Sequence, residues 1–327
     1  MQALSPPNQA SSAWRNAREK CSTIPEAFLS TLENTGRHTG SRMTTRQHIL
    51  LLAPLAALLL PFLFWPAVFG FASSFTDYGP AQGHLTLVGL RNYAAVVGND
   101  EVRLAFRHIA IVALVTVPLE LGIGFAVAYA LRAPFRGRGL VRIVLLIPWL
   151  LSPIAVGVMW HFLYGPAGML DFAAAWLRLP AVPSPLALPR WALPAVIATE
   201  IWRKAPLAAF LLLPGVLGIP SEQWEHATLD GTPPAAQLRH ILLPRLRPLL
   251  LTVALFLLGD TLGTFDSVWM MTGGGPGSKT LTPTLYSYQQ AFGAYNWPFG
   301  IASAWVVVAA VLPLGLGYLA LARPEER

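Results

Sequence analysis

Residues 49–75 read ILLLAPLAALLLPFLFWPAVFGFASSF, and no charged residue lies between Arg46 and Asp77. An apolar run of about 18 residues or more is long enough to cross a bilayer as a helix. The whole composition agrees, since 54% of the 327 residues are hydrophobic and 12% are charged. Soluble domains carry about 25% charged residues. The chain is therefore predicted to be a membrane protein, and a disordered chain or an ordinary soluble domain is excluded.

Five further apolar stretches of similar length follow the first one. Proline and glycine, with 29 and 27 copies, do not argue against spanning helices, because both are frequent in membrane helices. We therefore predict an all-α, polytopic membrane protein with six transmembrane helices. The predicted spans are Ile49–Phe75, Ile109–Leu131, Ile143–Leu163, Trp191–Leu217, Leu249–Met271 and Phe299–Ala322.

The distribution of basic residues predicts the orientation. Lysine and arginine accumulate in the cytoplasmic connections of membrane proteins. Fifteen lie in residues 1–48, in the connections after the second and fourth spans and in the carboxyl-terminal tail, against six on the other side. Both termini are therefore predicted to be cytoplasmic. Residues 1–48 are expected to form a flexible tail, 49–322 the membrane domain and 323–327 a short second tail, and translation from Met1 or from Met43 is left open.

Several ionisable residues fall inside the predicted spans, where burying a charge is costly. Glu200 has i, i+3 and i, i+4 spacing to Arg203 and Lys204, so the acid can pair with either base along one helix. One interpretation is a self-neutralising charge cluster, and the other is a transport path or a contact with a second subunit. The candidate path residues are Glu120, Glu200, Arg203, Asp260 and Asp266.

The sequence contains no recognisable catalytic or metal-binding constellation. The seven histidines show no paired ligand spacing, and Cys21 is the single cysteine. Residues 273–280 read GGGPGSKT, which is close to a phosphate-binding loop, but Ser278 stands where that motif needs glycine. We predict no catalytic residues, no metal and no cofactor. The net charge of +7 lies in short connections, which favours membrane orientation over nucleic-acid binding.

The connection between the fourth and fifth spans has a secondary-structure pattern of its own. Residues 219–234 read IPSEQWEHATLDGTPP. Ser221 is a good N-cap for a helix over residues 222–229, and Gly231 permits the left-handed backbone that ends such a helix. A helix–turn–helix on the membrane surface suits docking of a partner, although a surface hairpin without a partner is the alternative.

The spacing of this loop resembles a known signature. The segments Glu225-His226-Ala227, Gly231, Ile241 and Leu243-Pro244 are similar to the EAA loop of binding-protein-dependent ABC importer permeases. His226 departs from the pattern, since a small residue usually stands there. The resemblance extends over residues 49–322, and its flanks are similar to the carbohydrate-uptake branch of maltose and glycerol-3-phosphate type. The similar flanking elements are residues 89–93, 135–139, 148–149, 265–266, 273–276 and 288–292.

The resemblance implies an architecture and a set of partners. The architecture is that of a type I ABC importer permease, whose coupling loop at about 219–248 seats on an ATP-hydrolysing subunit. The implied partners are two copies of that ATPase subunit, a second homologous permease, an extracytoplasmic sugar-binding protein and the lipid bilayer. The loop positions carried over are Glu225, His226, Ala227, Asp230, Gly231, Ile241, Leu243 and Pro244.

The function implied by the resemblance is ATP-driven import of a carbohydrate by a subunit that is not itself an enzyme. The substrate is a sugar, oligosaccharide or polyol, and a neutral sugar is favoured over glycerol-3-phosphate because the spans hold few arginines besides Arg203. The alternative is a secondary transporter driven by an ion gradient, with Glu120 and Asp260 as proton sites. That alternative leaves the spacing of the loop unexplained.

Overall fold

The computed structural model describes residues 45–79, 86–178, 180 and 183–321. Within these ranges the chain is built from α-helices, and pairing of extended backbone is confined to isolated bridges such as Thr76 with Leu87. A 3-10 turn lies at Pro185–Ala187, and π turns lie at Leu238–Leu242 and Gln289–Gly293. The α-helices, in chain order, are α1 (Thr45–Ser73), α2 (Arg91–Gly98), α3 (Asp100–Ala130), α4 (Arg138–Leu150), α5 (Pro153–Tyr164), α6 (Met169–Trp176), α7 (Ala192–Leu217), α8 (Ser221–Leu229), α9 (Pro234–Gln237), α10 (Leu243–Leu262), α11 (Asp266–Thr272), α12 (Pro283–Tyr288) and α13 (Trp297–Leu321).

The described helices account for the predicted membrane spans by length and composition. The segments long and apolar enough to cross a bilayer alone are Ala53–Ser73, Asp100–Ala130 and Ala235–Leu262. Two further candidates are bent pairs, Arg138–Leu150 with Pro153–Trp176 and Ala192–Leu217 with Ser221–Leu229. A shorter apolar segment, Trp297–Pro313, lies in α13. Each predicted span overlaps one of these segments, and the all-α polytopic prediction is confirmed.

The third predicted span, Ile143–Leu163, is not one helix. It is divided between α4 and α5, which meet at an angle of 90°. Pro153 is the first residue of α5, and Ser152 before it has an extended backbone with a ψ of 136°. A proline ring disfavours the helical conformation of the preceding residue. The Ser-Pro dipeptide therefore breaks the helix. Hydropathy gives no sign of this break, because residues 143–163 are apolar throughout.

The fifth predicted span, Leu249–Met271, is also divided. Helix α10 begins at Leu243 and ends at Leu262, and α11 begins at Asp266. The residues between them leave the helical pattern at Phe265, whose φ is −136°. The helix breaks where Gly263 offers no side chain to stabilise a further turn. Because of this break, Asp266 lies in the first turn of α11 and not in the middle of one long helix.

The ends of the membrane domain differ slightly from the predicted boundaries. Helix α1 begins at Thr45, before the predicted start at residue 49. The remainder of the predicted tail, residues 1–44, and the tail at 323–327 lie outside the described residues. Helix α3 begins nine residues before the predicted Ile109, because the Asn99 side chain accepts hydrogen bonds from the backbone N–H groups of Glu101 and Val102.

Two apolar clusters form the core of the segment from residue 68 onward. The first, which we call the 219–248-side cluster, joins the end of α3, the second half of α7 and α10; its buried members include Ala128, Leu212, Val216, Leu246 and Leu257. The second, the 273–282-side cluster, joins the starts of α3 and α7 to α11, α12 and α13; its buried members include Val102, Val196, Met271, Leu285 and Ala302. Along α7, residues 200–204 separate the part of the helix that belongs to the second cluster from the part that belongs to the first.

Helices α3 and α7 pack together closely enough to exclude larger side chains. A Cβ built on Gly124 would lie 2.5 Å from Ala208 Cβ and 2.7 Å from the Ala209 backbone nitrogen. Real Cβ atoms essentially never approach other atoms this closely, so glycine permits the approach. Small residues at helix contacts are typical of membrane domains, where packing is a main source of association. This contact joins two helices that carry buried charged residues, Glu120 on α3 and Glu200, Arg203 and Lys204 on α7.

Candidate functional site

A cluster of four charged residues lies in the polar segment between the two apolar clusters. Arg203 Nη2 lies 2.9 Å from Glu200 Oε2 and 3.4 Å from Asp260 Oδ2. Lys204 Nζ lies 3.1 Å from Glu200 Oε2 and 2.7 Å from Asp260 Oδ2. The cluster therefore contains two acids and two bases in mutual contact. The predicted pairing of Glu200 with both bases is confirmed, and α10 supplies a second acid.

Neutral side chains extend this cluster to α11. The Ser267 hydroxyl donates to Glu200 Oε1 at 2.6 Å, and Lys204 Nζ donates to Thr261 Oγ1 at 3.2 Å. Side-chain exposure is 1% for both Glu200 and Lys204 but 43% for Asp260. A buried ion pair is tolerated only when its charges are paired and its polar atoms are hydrogen bonded. The cluster therefore ties α7, α10 and α11 together and presents one carboxylate, that of Asp260, at the surface.

The remaining candidate path residues do not join this cluster through hydrogen bonds or ion pairs. Glu120 on α3 is fully buried, and neither of its carboxylate oxygens has a hydrogen-bond partner among the described residues. The hydroxyl of Thr116, one turn earlier, is likewise buried without such a partner in the described part of the chain. Asp266 lies at the first position of α11 and is half-buried. Of the five candidates, the structure brings together Glu200, Arg203 and Asp260.

A row of aromatic rings begins next to Asp266 in the chain. The sequence analysis named the segments 265–266 and 288–292 without predicting that their rings meet. The members of this row, which we call the aromatic row, are Phe265, Trp269, Tyr288 and Phe292. The centres of the Phe265 and Trp269 rings are 6.1 Å apart with planes inclined by 13°. The Tyr288 ring lies 5.0 Å from Phe265, 5.3 Å from Trp269 and 5.0 Å from Phe292. Tyr288 and Phe292 are 39% and 58% exposed, so this end of the row presents aromatic rings at the surface.

The 273–282 loop folds back and brings the two halves of the aromatic row together. The Nδ1 atom of His161 lies 2.7 Å from the Met271 carbonyl oxygen, and that of His108 lies 3.2 Å from the Leu281 carbonyl oxygen. The Gln289 amide donates to the Gly273 carbonyl oxygen at 2.9 Å. Within the loop, the backbone N–H of Thr280 donates to the Gly274 carbonyl oxygen. This loop is a turn that positions neighbouring side chains, which explains the glycines without phosphate binding.

The 219–248 loop forms the predicted helical hairpin. Gly231 has a φ of +68°, in the left-handed region, and the chain turns there from α8 to α9. The backbone N–H of Thr232 donates to the Ala227 carbonyl oxygen at 2.9 Å, and the Gln237 amide donates to the Thr232 carbonyl oxygen at 2.9 Å. The predicted cap is wrong by one residue, because Ser221 is the first helical residue and Pro220 precedes it without a side-chain cap.

The loop residues carried over from the resemblance divide into exposed and packed groups. Ala227 is buried, so its side chain faces the inside of the hairpin instead of outward. Ile241 is half-buried beside the 219–248-side cluster. His226 is exposed and lines a shallow groove of about 480 Å³ with Asp230 and His240. The exposed positions are Glu225, His226, Asp230, Gly231, Leu243 and Pro244.

The described residues were compared with the side-chain groups that hold metal ions. Among them, no group of three or more histidine, cysteine, aspartate or glutamate side chains could hold a metal ion. The charged residues Arg203 and Lys204 are already engaged by carboxylates. The described residues offer three features that a transport protein could use. They are the aromatic row, the cluster of paired charges and the exposed hairpin of the 219–248 loop.

Comparison with known proteins identifies relatives along most of the chain. The probable ABC transporter permease protein y4oQ of Sinorhizobium fredii is 32% identical, over 80% of this chain and 85% of that protein. The trehalose/maltose transport system permease protein MalF of Thermococcus litoralis is 31% identical, over 81% of this chain and 89% of that protein. The sn-glycerol-3-phosphate transport system permease protein UgpA of Agrobacterium fabrum is 27% identical, over 82% and 90%.

A solved structure and a family profile agree with this assignment. A chain of a bacterial ABC transporter involved in the import of the acidic polysaccharide alginate has the same fold, with a TM-score of 0.71 and 18% identity over 86% of this chain and 99% of that chain. Residues 120–323 match the family described as binding-protein-dependent transport system inner membrane component. The resemblance inferred from the loop is thereby confirmed, and the chain belongs to this family of multi-pass inner-membrane transport components.

Proposed function

We propose that this chain is the permease subunit of an ATP-driven ABC importer that moves a carbohydrate into the cytoplasm. The match to binding-protein-dependent transport components supports the importer, and the aromatic row near Asp266 supports a carbohydrate as its ligand. Relatives that match over most of their length are named for transport of trehalose and maltose, sulfoquinovosyl glycerol and glycerol-3-phosphate. A carbohydrate or polyol is the ligand class common to these relatives, and the aromatic row favours a sugar ring within it.

The aromatic row is suited to the chemistry of a sugar ring. Ligand sites combine apolar and aromatic surfaces with a few polar groups that fix orientation. The faces of Trp269 and Tyr288 can pack against the C–H groups of a sugar, and the Asp266 carboxylate can accept hydrogen bonds from its hydroxyls. We therefore place the sugar contacts at the aromatic row and Asp266.

The charge cluster favours a neutral sugar over a phosphorylated substrate. Arg203 is held by Glu200 and Asp260, so its guanidinium is already neutralised. A phosphate group would have to compete with both carboxylates for Arg203 and would bring a further negative charge close to the buried carboxylate of Glu200. In this proposal Asp260 faces the transport path, while Glu200, Arg203 and the buried Glu120 support the helices around it.

The 219–248 loop is the proposed docking site for the ATPase subunit. Both termini and this loop are placed on the cytoplasmic side, because the connections on that side hold fifteen of the lysines and arginines outside the spans. The side chains that would meet the ATPase are the exposed residues Glu225, His226, Asp230, Leu243 and Pro244. Ala227 and Ile241 shape the hairpin from within, and the exposed Gly231 supplies its turn.

The full importer in this proposal contains four further protein chains. Two ATPase subunits hydrolyse ATP, so this chain has no catalytic role of its own. A second permease completes the path, and a sugar-binding protein outside the membrane delivers the substrate. Membrane residues 49–322 are the proposed functional domain, with tails on either side.

Uptake in a host strain that lacks this chain tests the proposal. Radiolabelled trehalose, maltose and glycerol-3-phosphate serve as probes, with and without restoration of the chain. The expected result is restored uptake of one of the two sugars that persists with a protonophore and stops when ATP is depleted. Uptake abolished by the protonophore while ATP is unchanged would instead support the gradient-driven transporter, with Glu120 as a proton site.

A further inference from the structure

Three side chains join α8 to the end of α3. The guanidinium carbon of Arg132, the second residue after α3, lies 3.9 Å from the centre of the Trp224 ring on α8. It also lies 4.7 Å from the centre of the Tyr129 ring in the last turn of α3. The two rings are 6.4 Å apart and inclined by 60°. We call these three residues the Arg132 clamp.

The rings take the place of an acidic partner for Arg132. Among the described residues Arg132 forms no salt bridge, and its Nη1 atom is buried without a hydrogen-bond partner. The sequence contains no aspartate or glutamate between Glu120 and Asp171. A planar guanidinium over aromatic faces is stabilised by its attraction to their negative surface. The contact is therefore the interaction that holds this charge in place.

Both ends of the clamp are anchored in packed structure. Tyr129 and Trp224 pack against the 219–248-side cluster. Trp224 is also held on α8, where the Thr228 hydroxyl donates to its carbonyl oxygen at 2.7 Å. Beside the clamp lies a cavity of about 480 Å³ lined by Arg132, Trp224, Val216 and Glu225 among others. The clamp joins α8 to the end of α3 beside this open groove.

We propose that Arg132 is a positioning residue that holds α8 and the end of α3 as one rigid unit. Residues 218–220 connect α8 covalently to α7, and the clamp connects it to α3. A displacement of the 219–248 loop then reaches both members of the closely packed α3–α7 pair. The inference rests on the proposed function, which supplies the ATPase that displaces the loop.

Distances between two spin labels test the clamp in the assembled complex. The chain is purified with its co-purifying subunits after Cys21→Ser removes the single cysteine. Nitroxide labels are attached at Phe135→Cys, after α3, and Glu222→Cys, on α8, both of which are exposed positions. The distance distribution is recorded without nucleotide and after trapping with ATP and vanadate.

Four variants separate the clamp from general effects on stability. Arg132→Met keeps an apolar stem but removes the charge, and Trp224→Leu removes the ring. Arg132→Lys keeps a cation above the rings. Arg136→Ala is the matched control, because Arg136 is an exposed arginine of the same connection outside the clamp. The expected result is one narrow peak in both states for the unaltered clamp and Arg136→Ala, and an intermediate width for Arg132→Lys, which keeps the charge but loses the planar stacking.

Removing the charge or the ring is expected to abolish the single narrow peak of the distance distribution. Arg132→Met and Trp224→Leu should broaden or split the distribution in at least one state, while the ATPase still co-purifies. An unchanged narrow peak in Arg132→Met would overturn the clamp and leave the proposed function standing. If no ATPase co-purifies even with the unaltered chain, the proposed function fails and the inference falls with it.

Discussion

Gly231 is a residue whose backbone conformation decides the shape of the 219–248 loop. Its φ of +68° is rarely adopted by residues with a side chain, and a Cβ built there would meet no atom within 4 Å. Aspartate tolerates the left-handed region better than most residues. A side chain at this position would therefore project away from the chain instead of disturbing its packing.

Gly231→Asp is predicted to abolish transport while the permease still inserts in the membrane. An interface charge left without a partner costs about 2–5 kcal/mol, which weakens ATPase docking by about thirtyfold or more. Sugar uptake, membrane abundance and co-purified ATPase measure the effect. Gly137→Ala is the control, because Gly137 also has a positive φ and open space but lies outside the loop. Normal uptake by Gly231→Asp would contradict the docking role.

Lys204 is the residue on which the stability of the charge cluster depends most. It is buried and contacts both Glu200 and Asp260. Lys204→Met leaves two acids against one base, and removing one partner from a buried pair costs about 3–5 kcal/mol. We predict a clearly lower thermal unfolding midpoint in detergent.

Two companion variants make the prediction about Lys204 specific. The double variant Lys204→Met/Asp260→Asn restores charge balance and should recover part of the lost stability. Arg103→Ala removes an exposed ion pair with Asp100 and should change stability by at most about 1 kcal/mol. Equal midpoints for Lys204→Met and Arg103→Ala would show that the cluster does not stabilise the fold.

Helix α11 and the start of α12 are the elements that carry the proposed sugar contacts. Trp269→Leu removes one ring of the aromatic row but keeps an apolar side chain on α11. Because a well-placed aromatic contact is worth about 0.5–1.5 kcal/mol, the apparent affinity for the sugar is predicted to fall about threefold to tenfold. Concentration-dependent uptake by the restored host measures it.

An exposed tryptophan elsewhere provides the comparison for the aromatic row. Trp176 on α6 is exposed and lies outside the row. Trp176→Leu is therefore expected to leave the concentration dependence of uptake unchanged. A similar loss of affinity in both variants would argue against sugar contact at the aromatic row, as would no loss in Trp269→Leu.

At the scale of elements, contacts within one helix could be predicted from residue spacing in the sequence. Contacts between different helices could not. The pairing of Glu200 with Arg203 and Lys204 follows from helical periodicity alone. Asp260 lies on another helix, so no spacing rule could assign it to the same cluster. The turn at Gly231 after α8 followed from the conformational freedom of glycine, whereas the 90° bend at Pro153 lies in a stretch that is apolar throughout and shows no break in hydropathy.

The aromatic row was unpredictable for a related reason. Phe265 and Tyr288 approach each other because the 273–282 loop folds back between them. The two ends of this segment contact histidines of distant helices, Met271 through His161 on α5 and Leu281 through His108 on α3. Such contacts depend on the packing of the whole domain, and a single sequence carries no local signal for them.

At the scale of the whole molecule, the membrane domain is predicted to work without most of its amino-terminal extension. The family match covers residues 120–323, and the first predicted span begins at residue 49. Deletion of residues 2–42 should therefore leave membrane abundance and sugar uptake at the level of the full chain. Loss of either would assign the extension a role in insertion or assembly.

The composition of the complex that forms around this chain tests the central claim most directly. The measurement is purification in mild detergent from the native host, followed by mass spectrometry of the co-purifying proteins. The account predicts an ATPase subunit together with a second, homologous permease. A chain that purifies alone, with no ATPase bound even after cross-linking, would contradict the account.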